Sequence, residues 1–384
     1  MNFYLQLLGI VVVLSFLEFK IINNEKQVLL FVKRGFFPCV LLCCVAGLRA
    51  LKVGKDNYSY SRYFLKMTFE RVHFFNPNFH WIYNLWDLII RQFTDNVFVF
   101  NFCCAIVIYV ALYFFVTRYS CDERVSLVLF ITLGIFFNSM NQTRQALATA
   151  VLLFGFKYAV EKKLIKAMIL CLIAAFIHNV AVVMIPIYVF ICLAQRIGPR
   201  TVAFFSGASI VIALGYNRLI GIFVSIFPKY KYYLKYSKLF VERRSIYRYA
   251  DFFMALILQI VLVYGLYKLK LREINKVRNG EGGENNTNTA YDDFGNILAC
   301  MNAVYLCMTY LILNGDIFNR LKSLFVYWVL LTIPFIIKKY FSDNWVIKVL
   351  VCVVSIAYMW RLGVHDGDGV IPYKVFFDWE DVLF

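Results

Sequence analysis

The sequence predicts an all-α polytopic integral membrane protein, and three observations carry that reading. Of its 384 residues, 61% are hydrophobic. Mean hydropathy is +0.68. Soluble domains are roughly one-half apolar, and a core of this size could not absorb the excess. The apolar residues come in long runs, not in alternation. The short segments between several runs are rich in Lys and Arg, as cytoplasmic loops are.

A helix needs about 20 apolar residues to cross the hydrocarbon. Runs at 3–19, 30–48, 97–116, 125–141, 145–160, 163–178, 180–195, 201–222, 249–270, 293–314, 320–337 and 344–361 predict about twelve spans in one polytopic domain, 1–384. The first run lacks a basic leader and a small-residue cleavage site, so it reads as a span and not as a signal peptide. Segment 79–93, FHWIYNLWDLIIRQF, is amphipathic and interrupted by Asp87 and Arg91, which marks it as interfacial or re-entrant.

An even number of spans puts both termini on one side. The basic loops 20–34, 161–166, 195–200, 268–278 and 338–339 then share a face, which is cytoplasmic. Residues 271–293 include the Gly/Asn/Glu-rich NGEGGENNTNTAYDD and read as a flexible loop on that face. Two larger loops, 49–96 and 223–248, fall on the other face, and both are basic. Their charge answers either to something anionic outside the bilayer plane or to lipid phosphates. It belongs to a net charge of +17 for the chain. The eleven cysteines form no CxxC pair and no Cys/His cluster of zinc spacing, and most lie inside apolar runs, where small polarizable side chains pack.

The polar residues at the outer ends of the spans draw attention. In FNSMNQTRQALATAVLLF, Arg144 stands in the first turn of a helix that Thr143 or Asn141 would cap. A cation there opposes the helix dipole. It either snorkels to headgroups or, with free backbone N–H groups, forms an anion site. Arg49 ends the second span, His178 ends the sixth, and Asp316, Asn319 and Arg320 lie before the eleventh. Ionisable groups at membrane depth are costly and mark function. Three guanidiniums and an imidazole at one level suggest a pocket for a polyanion such as a pyrophosphate. DGD at 366–368 sits in the tail, away from this face, and no metal site is expected.

AGLRALKVGKDNYSYSRYF, the RQ…A…F…H block within 142–190, FNRLKSLF, and the close IPYKVFF resemble the ordered motifs of the EpsG family of Wzy-like membrane proteins. Asn57 and Val180 depart from that pattern, where Thr and Ser are usual. The resemblance implies a GT-C-like fold with large periplasmic loops at 49–96 and 223–248. It also implies a polymerase of undecaprenyl-pyrophosphate-linked oligosaccharide repeat units in capsule, exopolysaccharide or O-antigen synthesis. Such an enzyme is a metal-independent, inverting glycosyltransferase of the bacterial inner membrane, facing outward, without a cofactor. Its implied partners are the lipid-linked oligosaccharide, membrane lipid and a chain-length regulator, not nucleic acid.

On this reading Arg49, Arg144 and Arg320 bind the pyrophosphate, and Tyr60, Gln145 and Asn319 contact substrate. His178 or Asp56 takes the acceptor proton. Tyr58, Tyr60, Trp81 and Trp86 either stack on sugars or form the interfacial aromatic belt. An O-antigen ligase-like transferase, a flippase for an anionic glycolipid and a membrane O-acyltransferase are the rivals. Mid-span positions nearly free of charge disfavour the flippase, and the arginine set disfavours the acyltransferase.

Overall fold

The computed structural model describes the chain except residues 23–27, 76–79, 195–196, 217, 219–220, 223–224, 226–245, 279–286, 314–316, 365–367 and 377–384. Helices dominate it. The chain divides into two compact units, Met1–Leu193 with Trp345–Phe384, and Ala194–Asn344.

The first unit opens with α1 (Asn2–Leu14) and a two-stranded antiparallel hairpin, β1 (Phe19–Ile22) and β2 (Val28–Val32). The hairpin stands where the sequence predicted a basic loop running into a span. VLLFV has β-formers at Val28, Phe31 and Val32, and Gly35 starts the helix only afterwards, so α2 covers Phe36–Gly47. Next come α3 (Asn57–Leu65), a 3₁₀ turn at Phe69–Arg71, α4 (Trp81–Arg91) and α5 (Val97–Tyr119). Asn96 caps α5 by accepting from the Phe98 and Val99 amides at 2.8 and 3.3 Å. Then follow α6 (Glu123–Thr132), α7 (Ile135–Asn141), α8 (Thr143–Val160), α9 (Leu164–Ile177), a second 3₁₀ turn at Asn179–Val183, and α10 (Met184–Leu193).

The predicted span 125–141 is bent by 56° between α6 and α7. Gly134 sits at the bend with φ of +80°, a conformation that costs a residue without Cβ little. In this unit α5 packs against α2 and α8, and α8 against α9. The second unit holds α11 (Pro199–Leu214), α12 (Ile246–Arg278), α13 (Thr287–Leu311) and α14 (Ile317–Tyr340), with α13 packed on the other three. The chain then returns to the first unit as α15 (Trp345–Val364), which lies against α6.

Among the described residues, Val97–Tyr119, Arg248–Arg272, Asp293–Leu311 and Phe318–Tyr340 are long and apolar enough to cross a membrane, and the bent α6–α7 pair is a fifth candidate. Five further apolar helices are shorter, from Asn2–Leu14 to Pro199–Leu214. Length and composition therefore support four or five crossings, fewer than the twelve runs suggest. Helix also replaces predicted loop. KLKLREINKVR continues α12, because Lys, Leu, Arg and Glu are strong helix formers, and α13 begins within the expected linker. Residues 279–286 of that linker, and most of the basic loop 223–248, lie outside the described residues.

Helix α4 is arranged with its polar face inward. Tyr83, Asn84, Asp87 and Ile90 are buried, while Ile89 is exposed. Such a helix suits the membrane interface, with apolar residues toward lipid and polar ones toward protein.

Asp122 joins the ends of two helices. Its carboxylate caps α6 through the Arg124 amide at 3.1 Å and receives Lys348 of α15 at 2.8 Å and the Arg124 guanidinium at 3.2 Å. Burial raises its pKa, but the hydrogen bonds from Arg124 and Lys348 outweigh that and hold it below the usual carboxylate range. The stability it gives is therefore present above the ordinary carboxylate pKa and is lost as pH falls through the lowered one. Asp122→Asn should cost about 1–2 kcal/mol at neutral pH. Thermal unfolding in nanodiscs should show that loss shrinking on acidification.

Candidate functional site

Arg49 lies just past the end of α2 and is buried to 1% exposure. Its guanidinium donates to the Ala46 carbonyl, an orphan acceptor at the α2 C-terminus where a cation also suits the helix dipole. It further donates to Asn57 Oδ1 at 2.9 Å, Asn101 Oδ1 at 3.4 Å and Thr143 Oγ1 at 2.9 Å. One side chain thus ties the end of α2 to the starts of α3 and α8 and to the interior of α5. Asn57, a departure from the usual Thr, supplies one of these acceptors, and its amide donates to the Leu51 carbonyl at 3.2 Å.

The C-terminal segment closes over this knot. Arg49 pairs with Val375 in an antiparallel bridge, flanked by Ala50 N–H to the Lys374 carbonyl at 2.9 Å and Phe376 N–H to the Leu48 carbonyl at 3.1 Å. Gly54 N–H donates to the Gly369 carbonyl at 2.9 Å and Lys55 N–H to the Asp368 carbonyl at 3.0 Å. The Tyr373 hydroxyl donates to the Val45 carbonyl at 2.8 Å, and its ring stacks on Phe3 at 4.3 Å. Of the tail DGD, which the sequence placed away from this face, Asp366 and Gly367 lie outside the described residues and Asp368 instead bonds the 49–57 loop through its carbonyl.

Gly54 lets α7 approach closely. A Cβ there would stand 3.0 Å from the Asn141 Cα, and φ is +94°. This approach lets Asn141 Oδ1 accept from the Asp56 N–H at 2.9 Å. Neither Asn141 nor Thr143 is therefore the cap of α8 that the sequence suggested. Gln142 stands at that position, without a side-chain cap bond, and both neighbours bind across to the 49–57 loop.

Arg144 follows in the first turn of α8, half-buried, with its guanidinium 5.7 Å from the Tyr60 ring centre and 5.6 Å from that of Tyr83. Cation–π contact with two tyrosines fixes its direction. Its Nε is buried and has no hydrogen-bond partner. Gln145 beside it is buried, and its carbonyl accepts from Thr149 at 2.9 Å.

His178 ends α9 and caps the following 3₁₀ turn. Its Nδ1 accepts from the Val180 N–H at 3.3 Å, which puts the proton of the neutral ring on Nε2. Its ring stacks on His80 at 5.8 Å. His80 sits before α4 with φ of +47°. Burial, and then the nearby Arg144 charge, push it down to about 4, so it is neutral at ordinary pH.

In the sequence Asp87 stands out only as a break in an amphipathic segment. It is fully buried, and both carboxylate oxygens lack a hydrogen-bond partner. Burial raises its pKa well above the ordinary value, against the lowering pull of Arg144 and then of the Tyr83 hydroxyl, which approaches the carboxyl without reaching hydrogen-bond geometry. Tyr63 of α3 and Cys104 of α5 also face it. The Tyr83 hydroxyl and the indole N–H groups of Trp81 and Trp86 are likewise buried and without partners. Buried orphan polar atoms are rare in folded proteins, and so many on one short helix point to an interior that receives a polar ligand or water. The signal in the sequence was the i, i+3, i+7 spacing of His80, Tyr83 and Asp87.

The first unit thus gathers Arg49, Asp56, Tyr60, Arg144, Gln145 and His178 of the predicted site. Asn319 and Arg320 belong to the second unit, exposed near the start of α14, where the Arg320 carbonyl accepts from Ser323 at 2.9 Å. Asp316 lies outside the described residues. Among the described residues, no three His, Cys, Asp or Glu side chains stand together as metal ligands.

A family model described as EpsG family matches residues 34–375. The chain belongs to the EpsG family. Comparison with curated proteins and with solved structures gave no match. EpsG membership makes this a membrane protein of the polysaccharide-polymerase type, associated with glycosyltransferase-like activity. The EpsG match takes in Arg49, the α4 face, Arg144, His178 and Arg320 together.

Removing Arg49 from this EpsG-family chain would strand three side-chain acceptors and empty a buried site. Arg49→Ala should cost about 3–5 kcal/mol. Limited proteolysis should then cut the 368–376 segment faster than in the wild type.

Proposed function

We propose that this protein polymerises undecaprenyl-pyrophosphate-linked oligosaccharide repeat units at the outer leaflet of the bacterial inner membrane, by inverting glycosyl transfer. One observation carries the reading. Arg144 is held between two tyrosine rings, with a guanidinium nitrogen unpartnered, beside a buried helix face of unpartnered polar atoms. Family membership supports polymerase-type chemistry. The GT-C-like architecture and the periplasmic placing of the 49–96 loop belong to this proposal.

The acceptor hydroxyl attacks the anomeric carbon of the donor glycan. As that C–O bond forms, the bond from carbon to the pyrophosphate oxygen breaks, and its electron pair leaves on the pyrophosphate. Arg144 meets that growing charge with bidentate hydrogen bonds. Arg320, expected from sequence to bind the same group, belongs to the second unit. A preorganised cation in a water-poor site lowers the barrier of such a reaction more than any other single device. Arg49, expected from sequence to bind the same group, is here assigned to building the site, since its guanidinium is engaged by four protein oxygens.

The hydroxyl proton needs an acceptor. His178 and Asp56 are the residues that the sequence suggested. His178 has its Nδ1 lone pair engaged by Val180. Its Nε2–H is a donor, suited to a sugar or phosphate oxygen. We assign the proton to a carboxylate oxygen of Asp87, whose raised pKa makes it a stronger base than an ordinary aspartate. Neutral His80, Tyr60 and Gln145 line the remainder as sugar contacts.

Arg144→Ala and Arg144→Lys should insert normally yet yield single lipid-linked units in place of long chains. Lysine fails because it lacks the bidentate fork. Normal polymer from Arg144→Ala would remove the residue from the reaction. Full-length polymer held on its carrier in a deletion strain would identify a ligase instead.

Asp87→Asn gives a second test. The wild-type rate should fall as pH drops through the raised carboxyl pKa, because only the ionised form accepts a proton. Asparagine should abolish that limb along with nearly all activity, a loss of about 10²–10⁴-fold. A raised carboxyl pKa also means that folding stability is lost as pH rises through it. Asp87→Asn should therefore melt higher than wild type at neutral pH, where a structural aspartate would melt lower.

A further inference from the structure

The second unit contains a groove that has no part in the reaction above. It runs between α11 and α12, which each pack on α13 but touch one another little. Its volume is about 910 Å³, within the roughly 300–1,000 Å³ range of ligand sites. The walls are aliphatic, with Val202 and Ile210 on α11, Leu256, Ile260 and Val263 on α12, and Leu306 on α13.

Two features distinguish it from an ordinary lipid-facing furrow. One is a polar rung across it. Gln259 Nε2 donates to Ser206 Oγ at 2.9 Å, and Asn302 Nδ2 donates to Gln259 Oε1 at 2.9 Å. The other is Asn296, which lines the groove at 6% exposure with an Oδ1 that has no hydrogen-bond partner. A buried acceptor in that position calls for a donor from whatever fills the groove.

The groove is also charged at one end. Lys270 lines it there, and Lys268 and Arg272 flank it on the same exposed end of α12, with Asp293 of α13 as the nearby acid in the sequence of that helix. Lys268 lies 4.8 Å over the Tyr264 ring. Aromatic and basic residues in this order mark a membrane interface. From Lys270 back to Gln259 is eleven residues of helix, about 16 Å at 1.5 Å per residue. The hydrocarbon of one leaflet is about 15 Å deep, half of the bilayer core. The polar rung therefore stands where a lipid chain anchored at Lys270 would end.

We infer that this groove holds one anionic phospholipid of the leaflet on the Lys270 side. Its phosphate lies at Lys270, a headgroup hydroxyl donates to Asn296, and one acyl chain runs down to the Ser206–Gln259 rung. Phosphatidylglycerol has this chemistry: a single negative charge, hydroxyl donors and chains one leaflet long. A polyprenyl phosphate has a far longer chain and no headgroup hydroxyls. The inference is independent of the catalytic reading.

The test uses the full-length protein in nanodiscs of equal phosphatidylglycerol and phosphatidylcholine, followed by native mass spectrometry. The wild type should retain one phosphatidylglycerol in preference to phosphatidylcholine. Lys270→Ala, a surface change that leaves folding intact, should weaken that preference about fivefold. Asn296→Leu should lower retention of phosphatidylglycerol while leaving that of phosphatidylcholine unchanged. Ala203→Trp should fill the groove and release the lipid. Equal retention of the two lipids by the wild type, no effect of Lys270→Ala, or displacement of phosphatidylglycerol by stoichiometric polyprenyl phosphate would each overturn the inference.

Discussion

The buried guanidinium of Arg49 is the interaction on which the first unit depends. A charged group taken out of water must recover its solvation from protein, and here four oxygens do so. They come from the end of α2, the first residue of α3, the interior of α5 and the first residue of α8. A lysine has no fork to reach so many directions at once, and an apolar residue would leave the acceptors without donors. The neighbouring Asn141–Asp56 bond and the close approach at Gly54 follow from the same convergence. Arg144 owes its position to this arrangement, since it is the residue after Thr143, which Arg49 holds.

Much of this was legible in the sequence, though some roles were not. An arginine at the end of one apolar run, another at the start of a second and a histidine closing a third stand out because such residues are costly near lipid. The structure places all three in the first unit. Their division of labour was not legible. Arg49 and Arg144 look alike as letters, yet the first meets protein oxygens and the second meets tyrosine faces. The distinction depends on Asn101, Asn57 and Thr143, whose side chains meet Arg49 only once the helices are packed. His178 likewise shows its imidazole but not its tautomer, which a single backbone amide decides. Segment 79–93 was legible as an amphipathic helix, and the spacing puts His80, Tyr83 and Asp87 on one face of it. That the face turns inward was not, because periodicity identifies a stripe without saying what covers it.

The count of membrane crossings was the least legible property. Hydropathy marks an apolar run but does not show whether a glycine will bend it, as Gly134 does, or whether its first residues will leave it as a strand, as Val28–Val32 do. Basic residues proved equally ambiguous. KLKLREINKVR has the charge of a cytoplasmic loop and the propensity of a helix, and propensity prevailed.

The first unit is discontinuous, and its last contribution is the strip from Asp368 to Phe376 that seals residues 48 to 55. During synthesis the ribosome must therefore make every helix of the second unit before the knot around Arg49 can be shut. A prematurely terminated chain would carry all the cluster residues of the first unit and still lack the strip that holds their loop. Completion of the polypeptide is in this way a precondition of a finished site, and unfinished copies remain open to quality-control proteases.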